Sequence, residues 1–383
     1  MPAPAAASLE AGLIGRHLPA LDGVRALAIL TVLVHQFLQF EPQPGIVAAG
    51  LNFAVKHGSA GVTLFFVLSG FLITRNLFSL REARGRYVTF YGRRILRIFP
   101  IYYAVVAVVF ILLPQHFSAR EQLPVWFFIS NWTEPFPPGP GPLPHFWSLA
   151  VEEQFYLLWP LVVFHSSRRQ LLWACGAVAL VAIVSRILLI HWDFPALAVY
   201  TFSVTRMDAL AFGSAAAAWL QTPAALTSLL RHRRRLWVAA VGFLLCHAVV
   251  AVALKGWAPQ YVPVSYYTMV ALMWSAFVLA AISGDCTPSW PWHRVLISRP
   301  MRLIGKYSYA MYALHVPVAL LASHALLRWL NGDGPVGIPV AIEQLVILSA
   351  IVFVAAWACY VLFEAYFLRL RDVWFAMPPG KQL

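Results

Sequence analysis

The side chains best suited to chemistry lie in an apolar stretch, residues 145–160, which reads HFWSLAVEEQFYLLWP. Ser148, Glu152 and Tyr156 recur every four residues and so share one helical face, whereas Glu153 points about 100° away. A carboxylate among apolar residues needs a partner or water, because burying an isolated charge is costly. Glu152 is therefore predicted either to form a salt bridge with another helix or to serve as a paired base in a cavity.

His35 is a second candidate for proton transfer. It lies ten residues after Arg25, in an apolar stretch predicted to cross a membrane at about residues 24–40. A rise of 1.5 Å per residue places it roughly 15 Å inside, near the midplane. An imidazole titrates near neutral pH and can act as a general base. The alternative is a histidine that is simply hydrogen-bonded to a neighbouring helix.

Arginines are concentrated just before another apolar stretch. Seven of them fall in the 23 residues from Arg75 to Arg97. Guanidinium groups bind phosphates by paired hydrogen bonds, so Arg93, Arg94 and Arg97 are candidates for holding a phosphate-bearing donor. The alternative is a cationic anchor on the cytoplasmic side of a membrane span.

Other polar side chains also lie within apolar stretches, where such residues often mark functional sites. They are Ser69 beside Gly70, Arg206 and Asp208, and Ser308, Tyr312 and His315 on one helical face. Small residues usually indicate close helix packing, and neighbouring Arg and Asp residues most often pair structurally. Pro317 breaks a helix ladder, and kinked polar helices often line cavities. Together the candidates describe a path from the arginines, past the histidines, to Glu152.

The elements that position these residues are predicted to be membrane helices. The 383 residues are 61% hydrophobic and 11% charged, with repeated apolar runs near twenty residues long. This pattern is typical of an all-α polytopic membrane protein. Ten spans are predicted, at about 24–40, 58–79, 98–114, 146–165, 171–191, 204–220, 236–255, 264–283, 308–330 and 339–368. Residues 123–132 are too short to cross and are predicted to form an outer-face or re-entrant helix.

The distribution of basic residues predicts the orientation. If both termini are cytoplasmic, 22 of the 28 Lys and Arg residues fall in inner segments, as the positive-inside rule requires. Basic loops against anionic lipid also explain the net charge of +13 without a nucleic-acid partner. The predicted location is therefore the cytoplasmic membrane of the cell, and the sequence leaves the oligomeric state open.

The predicted organisation is a single transmembrane domain at 18–368 between short cytoplasmic tails at 1–17 and 369–383. No appended soluble domain is expected. The four cysteines lack CxxC spacing, so neither a disulfide nor a metal site is predicted.

Six sequence blocks in order resemble the acyltransferase family 3 membrane proteins over nearly the whole chain. They are LDGVRALAIL with the following His, FFVLSGFLIT, FYGRRILRIFPIYY, FWSLAVEEQFYLLWP, RMDALAFG and YSYAMYALHVPV. The resemblance implies transfer of an acyl group, commonly acetyl from acetyl-CoA, to hydroxyls of polysaccharides such as O-antigen lipopolysaccharide and peptidoglycan, or of small molecules.

The resemblance also implies roles for individual residues. His35 matches the catalytic histidine, Glu152 the glutamate of the SLxxE block, and Arg25 the basic residue that precedes the histidine. Arg93, Arg94 and Arg97 match the arginine block on the acyl-CoA side. One departure is that nine residues separate Arg25 from His35, where the family has ten. The residues predicted to contact substrate are Ser69, Tyr156, Arg206, Asp208, Tyr312 and His315.

The mechanism expected from these roles begins with neutral His35, which takes a proton from the acceptor hydroxyl as it attacks the thioester. Glu152 would orient and stabilise the imidazole. An acyl-histidine intermediate is the variant. Acyl-CoA would be a substrate, with no tightly bound cofactor. The competing interpretation is a multi-spanning transporter or flippase of a polar or lipid-linked substrate, which would release no CoA.

Overall fold

The protein is helical along the part of the chain that the structure describes. The computed structural model describes residues 17–41, 43–112, 118–137, 139, 141, 143–286, 291–332 and 334–376, and these residues contain no strand. The helices are α1 Pro19–Phe37, α2 Ile46–His57, α3 Ala60–Leu80, α4 Arg86–Leu112, α5 Ala119–Trp126, α6 Ser130–Thr133, α7 Phe146–His165, α8 Arg168–His191, α9 Ala196–Thr201, α10 Ser203–Trp219, α11 Pro223–Arg231, α12 Arg233–Lys255, α13 Val262–Cys286, α14 Pro291–Leu296, α15 Arg299–Asn331, α16 Ile338–Cys359 and α17 Ala365–Trp374. A π-helical turn, Tyr360–Glu364, joins the last two.

Eight helical segments among the described residues are long and apolar enough to cross a membrane. They are α1, α3, α4, α8, α12, α13 with the turn before it, α15, and α16 together with α17. The prediction of an all-α polytopic membrane protein is confirmed. The other two predicted spans also form helices, but α10 has only 17 residues and α7 is made less apolar by Glu152, Glu153 and Gln154.

Two short elements differ from the sequence prediction. The predicted helix at 123–132 is two helices, α5 and α6, separated where Phe128 adopts a left-handed conformation with φ of 54°. Helix α2 was not predicted, because its twelve residues are too few to resemble a span. Three of its large apolar side chains, Ile46, Val47 and Phe53, are exposed, which fits a helix that lies on an apolar surface.

The centre of the bundle is the close contact between α3 and α10. A Cβ added to Gly70 would lie 1.9 Å from the carbonyl oxygen of Leu210, and one added to Gly213 would lie 1.9 Å from that of Val67. Ser214 Oγ also donates to the Gly70 carbonyl at 3.1 Å. The packing interpretation of the Ser69-Gly70 pair is therefore confirmed, since only glycine permits backbones to approach this closely.

Helix α10 is also fixed to α8 and α13 through a buried ion pair. Arg186 Nη2 lies 2.8 Å from Asp208 Oδ2, and the Thr268 hydroxyl donates to the same carboxylate oxygen at 3.0 Å. The predicted pairing of Asp208 with Arg206 is wrong. Residues two apart on a helix point in nearly opposite directions, so the two side chains contact different neighbours.

The proline inside α15 has a specific structural consequence. Pro317 has no N–H to donate to the carbonyl of Ala313, four residues earlier. His145, at the start of α7, lies with Nε2 3.3 Å from this carbonyl oxygen and can donate to it. The carbonyl that Pro317 leaves without a helical donor is thus the acceptor that joins α15 to the beginning of α7.

Candidate active site

Glu152 lies at the centre of a polar group built from α3 and α7. Ser69 Oγ donates to Glu152 Oε1 at 2.8 Å, and the Tyr156 hydroxyl donates to Oε2 at 2.9 Å. The predicted helical face is confirmed, because Ser148, Glu152 and Tyr156 all line one cavity of about 110 Å³. We call this the central cavity.

The remaining walls of the central cavity come from α1, α3, α4 and α15. Its far wall contains Ser308, Tyr309 and Tyr312, and Tyr312 lies with its hydroxyl 2.6 Å from Ser148 Oγ. Apolar side chains of α3, including Val62, Phe65 and Leu68, line the length of the cavity. A mostly apolar channel with a few fixed polar groups is typical of a small-molecule site.

A second cavity of about 150 Å³ adjoins the first and is strongly basic. We call it the arginine pocket, and the end of the bundle that contains it the arginine end. Its charged lining residues are Arg25, Arg75, Arg93, Arg94, Arg97, Arg371 and Asp22, together with His17. Arg25, Leu72, Arg94 and Arg97 line both cavities, so the two are contiguous.

The predicted arginines differ in how far they are already engaged. Arg93 donates to the Phe375 carbonyl at 2.7 Å and lies 3.2 Å from Asp372, so α17 covers it. Arg25 approaches Asp22 only at 3.5 Å. Arg94 and Arg97 form no hydrogen bond or salt bridge with any residue that the structure describes, although the Arg94 guanidinium lies over the Tyr156 ring at 5.2 Å. These two are the arginines most open to an anionic ligand.

His35 lies at the end of its helix, and its predicted depth at the membrane midplane stays a prediction. Helix α1 ends at Phe37, which places His35 in its last turn, away from the arginine end, with an exposed side chain. Its Nδ1 lies 2.7 Å from the carbonyl oxygen of Val55 on α2. A carbonyl can only accept, so Nδ1 carries the proton and Nε2 is left with a free lone pair.

The predicted contact between Glu152 and His35 does not form. Both carboxylate oxygens of Glu152 accept from Ser69 and Tyr156, and the orienting partner of His35 is a backbone carbonyl. The two residues remain connected through α3. A Cβ on Gly58, in the turn just before α3, would lie 2.7 Å from His35 Cβ. Val62, in the first turn of α3, lines the central cavity, so the short stretch 58–62 joins the histidine to the cavity wall.

His315 is buried beside a second histidine. Its Nδ1 lies 2.5 Å from the Tyr312 carbonyl, and its ring centroid is 4.6 Å from that of His145. It shares a helical face with Ser308 and Tyr312, as predicted, but only those two line the central cavity. His35 lies within electrostatic range of His315.

Arg206 lies among aromatic rings outside both cavities. It is 1% exposed, its Nη2 donates to Thr63 at 2.9 Å, and its guanidinium lies 4.3 Å from the centroid of Tyr267. Its Nε and Nη1 have no hydrogen-bond partner among the described residues. Cation–π contact accounts for part of its stabilisation. Its predicted contact with substrate stays a prediction, as does that of Asp208, whose carboxylate is occupied by Arg186.

Several residues of the site were missed from sequence. Arg75 and Arg371 complete the arginine pocket, and Val55 orients His35. Arg75 belongs to the arginine-rich stretch 75–97, so the density of arginines in that stretch could have identified it. Arg371 follows the last span and Val55 lies on an unpredicted helix, so only the fold could place them.

The arrangement can hold an anionic molecule at one end and a reacting group at the other. Cationic groups surround the arginine pocket, an apolar channel with Glu152 and Tyr312 in its walls follows, and a histidine with an available lone pair lies near the far end. A donor with a phosphate-bearing handle and an extended arm fits this order of groups.

Comparison of the sequence with known proteins identifies similar proteins and a matching family. A family model described as an acyltransferase domain matches residues 18–364. The chain is 30% identical to YrhL of Bacillus subtilis over 332 residues, which are 80% of this chain and 49% of that protein. It is 28% identical over 338 residues to the peptidoglycan O-acetyltransferase OatA of Listeria monocytogenes, covering 81% of this chain and 51% of the relative.

A third relative is the O-acetyltransferase OatA of Staphylococcus aureus, 27% identical over 329 residues, with 80% of this chain and 51% of the relative covered. The chain thus spans about half the length of these curated relatives. No solved structure is significantly similar. The matched region contains the central cavity, His35 and nearly all of the arginine pocket. Because the family model matches nearly the whole chain, the protein belongs to this acyltransferase family.

Proposed function

We propose that the protein is a membrane O-acyltransferase that moves an acyl group, in the first instance acetyl, from acyl-CoA to a hydroxyl of a cell-envelope glycan. The observation that carries the proposal is the continuity of the arginine pocket with the central cavity, whose lining residue Val62 is four residues from Gly58, the glycine packed against His35. The peptidoglycan O-acetyltransferase relative from Listeria monocytogenes supports a glycan acceptor.

The donor is acyl-CoA because its phosphates match the arginine pocket. Arg94 and Arg97 are not bonded to other described residues, so they can direct their N–H groups toward phosphate oxygens. The pantetheine arm then extends through the apolar channel and brings the thioester toward His35. Acyl-CoA is used up in each turnover and is not a resident cofactor.

His35 acts as the general base. The acceptor oxygen attacks the thioester carbonyl carbon while Nε2 takes the hydroxyl proton. The tetrahedral intermediate collapses and the carbon–sulfur bond breaks. The thiolate leaving group then takes the proton from His35 Nε2, which leaves the ester and free CoA. The Val55 carbonyl holds the Nδ1 proton and stabilises the imidazolium, the task that sequence analysis had assigned to Glu152.

Glu152 is a positioning residue in this mechanism. By accepting from Ser69 and Tyr156 it ties α3 to α7 and fixes the polar wall of the central cavity. The ring of Tyr156 in turn lies beneath the Arg94 guanidinium, so the network connects the central cavity to the arginine pocket.

The orientation proposed for the protein follows the basic residues. The arginine end faces the cytoplasm, where acyl-CoA is made, and His35 faces the outer side of the cytoplasmic membrane, where the glycan lies. Transfer across the membrane then needs no movement of the donor as a whole, only an arm long enough to reach His35.

The test is release of CoA from acetyl-CoA by the purified protein in lipid nanodiscs, with solubilised peptidoglycan fragments as the acceptor. His35→Ala should lower kcat/KM by a factor of about 10² to 10⁴, the usual contribution of a general base. The matched control is His57→Ala, because His57 also places Nδ1 against a backbone carbonyl, that of Phe53, on the neighbouring α2. Full activity in a folded His35→Ala protein would disprove the mechanism, and absence of CoA release by the wild type would favour a transporter.

A further inference from the structure

A third cavity, of about 280 Å³, lies beneath the segment that joins α4 to α7, away from the arginine end. We call it the outer cavity. Its lining residues come from α5, α6 and the Pro- and Gly-rich segment before α7, and they are Glu121, Val125, Ser130, Trp132, Thr133, Glu134, Phe136, Pro137, Gly139, Gly141 and Leu143. The cavity is larger than the central cavity and shares no lining residue with it.

Two buried polar side chains in the outer cavity lack partners. Glu134 is 6% exposed, and its carboxyl group makes no hydrogen bond or salt bridge with any residue that the structure describes. Ser130 is 2% exposed, and its Oγ also has no hydrogen-bond partner among those residues. Buried polar groups are normally hydrogen-bonded because an unsatisfied one costs free energy. The pair therefore indicates a ligand that supplies hydrogen bonds.

The chemistry of the cavity favours a neutral ligand rich in hydroxyls. Burial raises the pKa of Glu134 to about 9, so at neutral pH this carboxyl is protonated and both donates and accepts. The described lining holds two carboxyl groups, those of Glu134 and Glu121, and no cation. Trp132 and Phe136 are 37% and 40% exposed and offer flat apolar surface beside the carboxyl group. A sugar ring, with hydroxyls around an apolar face, matches such a mixture of surfaces.

The outer cavity is connected to the helix that bears Glu152. Gln154 of α7 donates to the Phe128 carbonyl at 2.8 Å and to Asn131 Oδ1 at 2.9 Å, and so holds α6 against α7. Trp132 Nε1 donates to the same side chain at 3.2 Å. Tyr312, which lines the central cavity, lies within electrostatic range of Glu134. The outer cavity is therefore held against α7, the helix that also lines the central cavity.

We infer that the outer cavity is a glycan subsite, which binds one sugar of the acceptor through Glu134 and Ser130 with its ring against Trp132 and Phe136. This inference rests on the proposed function and identifies where that reaction holds its acceptor. Bound here, a glycan chain presents a neighbouring sugar toward the region between Tyr312 and His35.

The experiment measures binding and turnover separately. Calorimetric titration of chitotetraose, a β-1,4-linked N-acetylglucosamine oligomer, into the nanodisc protein gives the Kd without any donor. Glu134→Ala should weaken binding about tenfold and raise the acceptor KM by the same factor, with the KM for acetyl-CoA unchanged. Glu134→Gln should restore most of the affinity, because an amide is neutral and both donates and accepts, as the protonated carboxyl does. Glu41→Ala, an exposed glutamate near the His35 end of α1, is the matched control.

A second variant, Phe136→Ala, covers the chance that one substitution alters folding, and it should also raise the Kd. Unchanged Kd and acceptor KM in both Glu134→Ala and Phe136→Ala would overturn the inference, and so would failure of wild-type protein to bind chitotetraose at millimolar concentration. Binding that is weakened by both variants, in a protein that releases no CoA, would support the subsite while rejecting the proposed reaction.

Discussion

The arginine pocket and the outer cavity have opposite arrangements of buried ionisable groups. The pocket gathers six arginines around a single aspartate, and two of those arginines are free of described partners. Among the described residues that line the outer cavity, Glu134 is buried without a counter-charge, and Glu121 is a second, less buried carboxyl. The first arrangement attracts anions, whereas the second holds its acid in the neutral form. The contrast shows that one bundle can carry two cavities of opposite electrostatic character, which suits the charged donor and the uncharged acceptor proposed above.

The largest effect expected at one end alone comes from removing a free arginine. Arg94→Ala should raise the KM for acetyl-CoA by roughly ten- to a hundredfold, the cost of one lost charge-assisted hydrogen bond. The acceptor KM should not change. Steady-state kinetics with each substrate varied in turn provides the measurement, and Arg234→Ala, an exposed arginine at the start of α12, is the control. An equal rise in both KM values would show that the two ends are not independent.

Ionic strength should also affect ligand binding differently at the two ends, with a smaller effect than the loss of Arg94. Charges that are partly exposed to solvent are screened over about 10 Å at 0.1 M salt. Raising the salt from 0.05 to 0.5 M should therefore increase the KM for acetyl-CoA several-fold, while the Kd of chitotetraose stays constant. Titration of both constants across the salt range tests this, and a salt-dependent Kd for the neutral sugar would contradict its binding through a protonated Glu134.

The smallest effect concerns stability and pH. The pKa of Glu134 is raised by burial from 4.5 to about 9, so between these values the folded protein binds a proton that the unfolded chain has lost. Stability must fall as pH rises through this interval. Glu134→Gln lacks this loss, so its Tm should exceed that of the wild type by more at pH 8.5 than at pH 5.

Thermal unfolding of both proteins in the same nanodiscs at the two pH values provides the test. The groups around Glu134 are Glu121, which lines the cavity and accepts from Ser118, and the hydroxyls of Tyr102 and Tyr312. A Tm difference that is the same at both pH values would mean that Glu134 is ionised in the folded protein.

Local spacing predicted some of the site well. The face of Ser148, Glu152 and Tyr156 was predicted because an i, i+4 repeat fixes direction within one helix whatever surrounds it. The same reasoning placed Ser308 and Tyr312 together. It also indicated that Gly70 lies at a helix contact, although only the structure shows that α10 is the partner.

Contacts between helices could not be predicted from the sequence. The depth assigned to His35 assumed a span that continues to residue 40, but α1 ends at Phe37 and the histidine lies in its last turn. Its partner Val55 lies on α2, a helix too short to show a membrane-length signal. Glu153 drew attention as a carboxylate, yet the neighbouring Gln154 organises the outer segment, since an amide can bond several backbone and side-chain groups at once.

The contact of Gly70 with α10 also has a mechanical consequence. With backbones in direct contact and no side chain between them, α3 and α10 cannot slide or separate without losing close packing, so they move as one body. The proposed reaction nevertheless requires product to leave the narrow central cavity in every cycle. Helix α15 is held to α1 in the same way, since a Cβ on Gly305 would lie 1.9 Å from the Asp22 carbonyl oxygen. The part of the enclosure that can bend is therefore the portion of α15 around and beyond Pro317, where the hydrogen-bond ladder is interrupted.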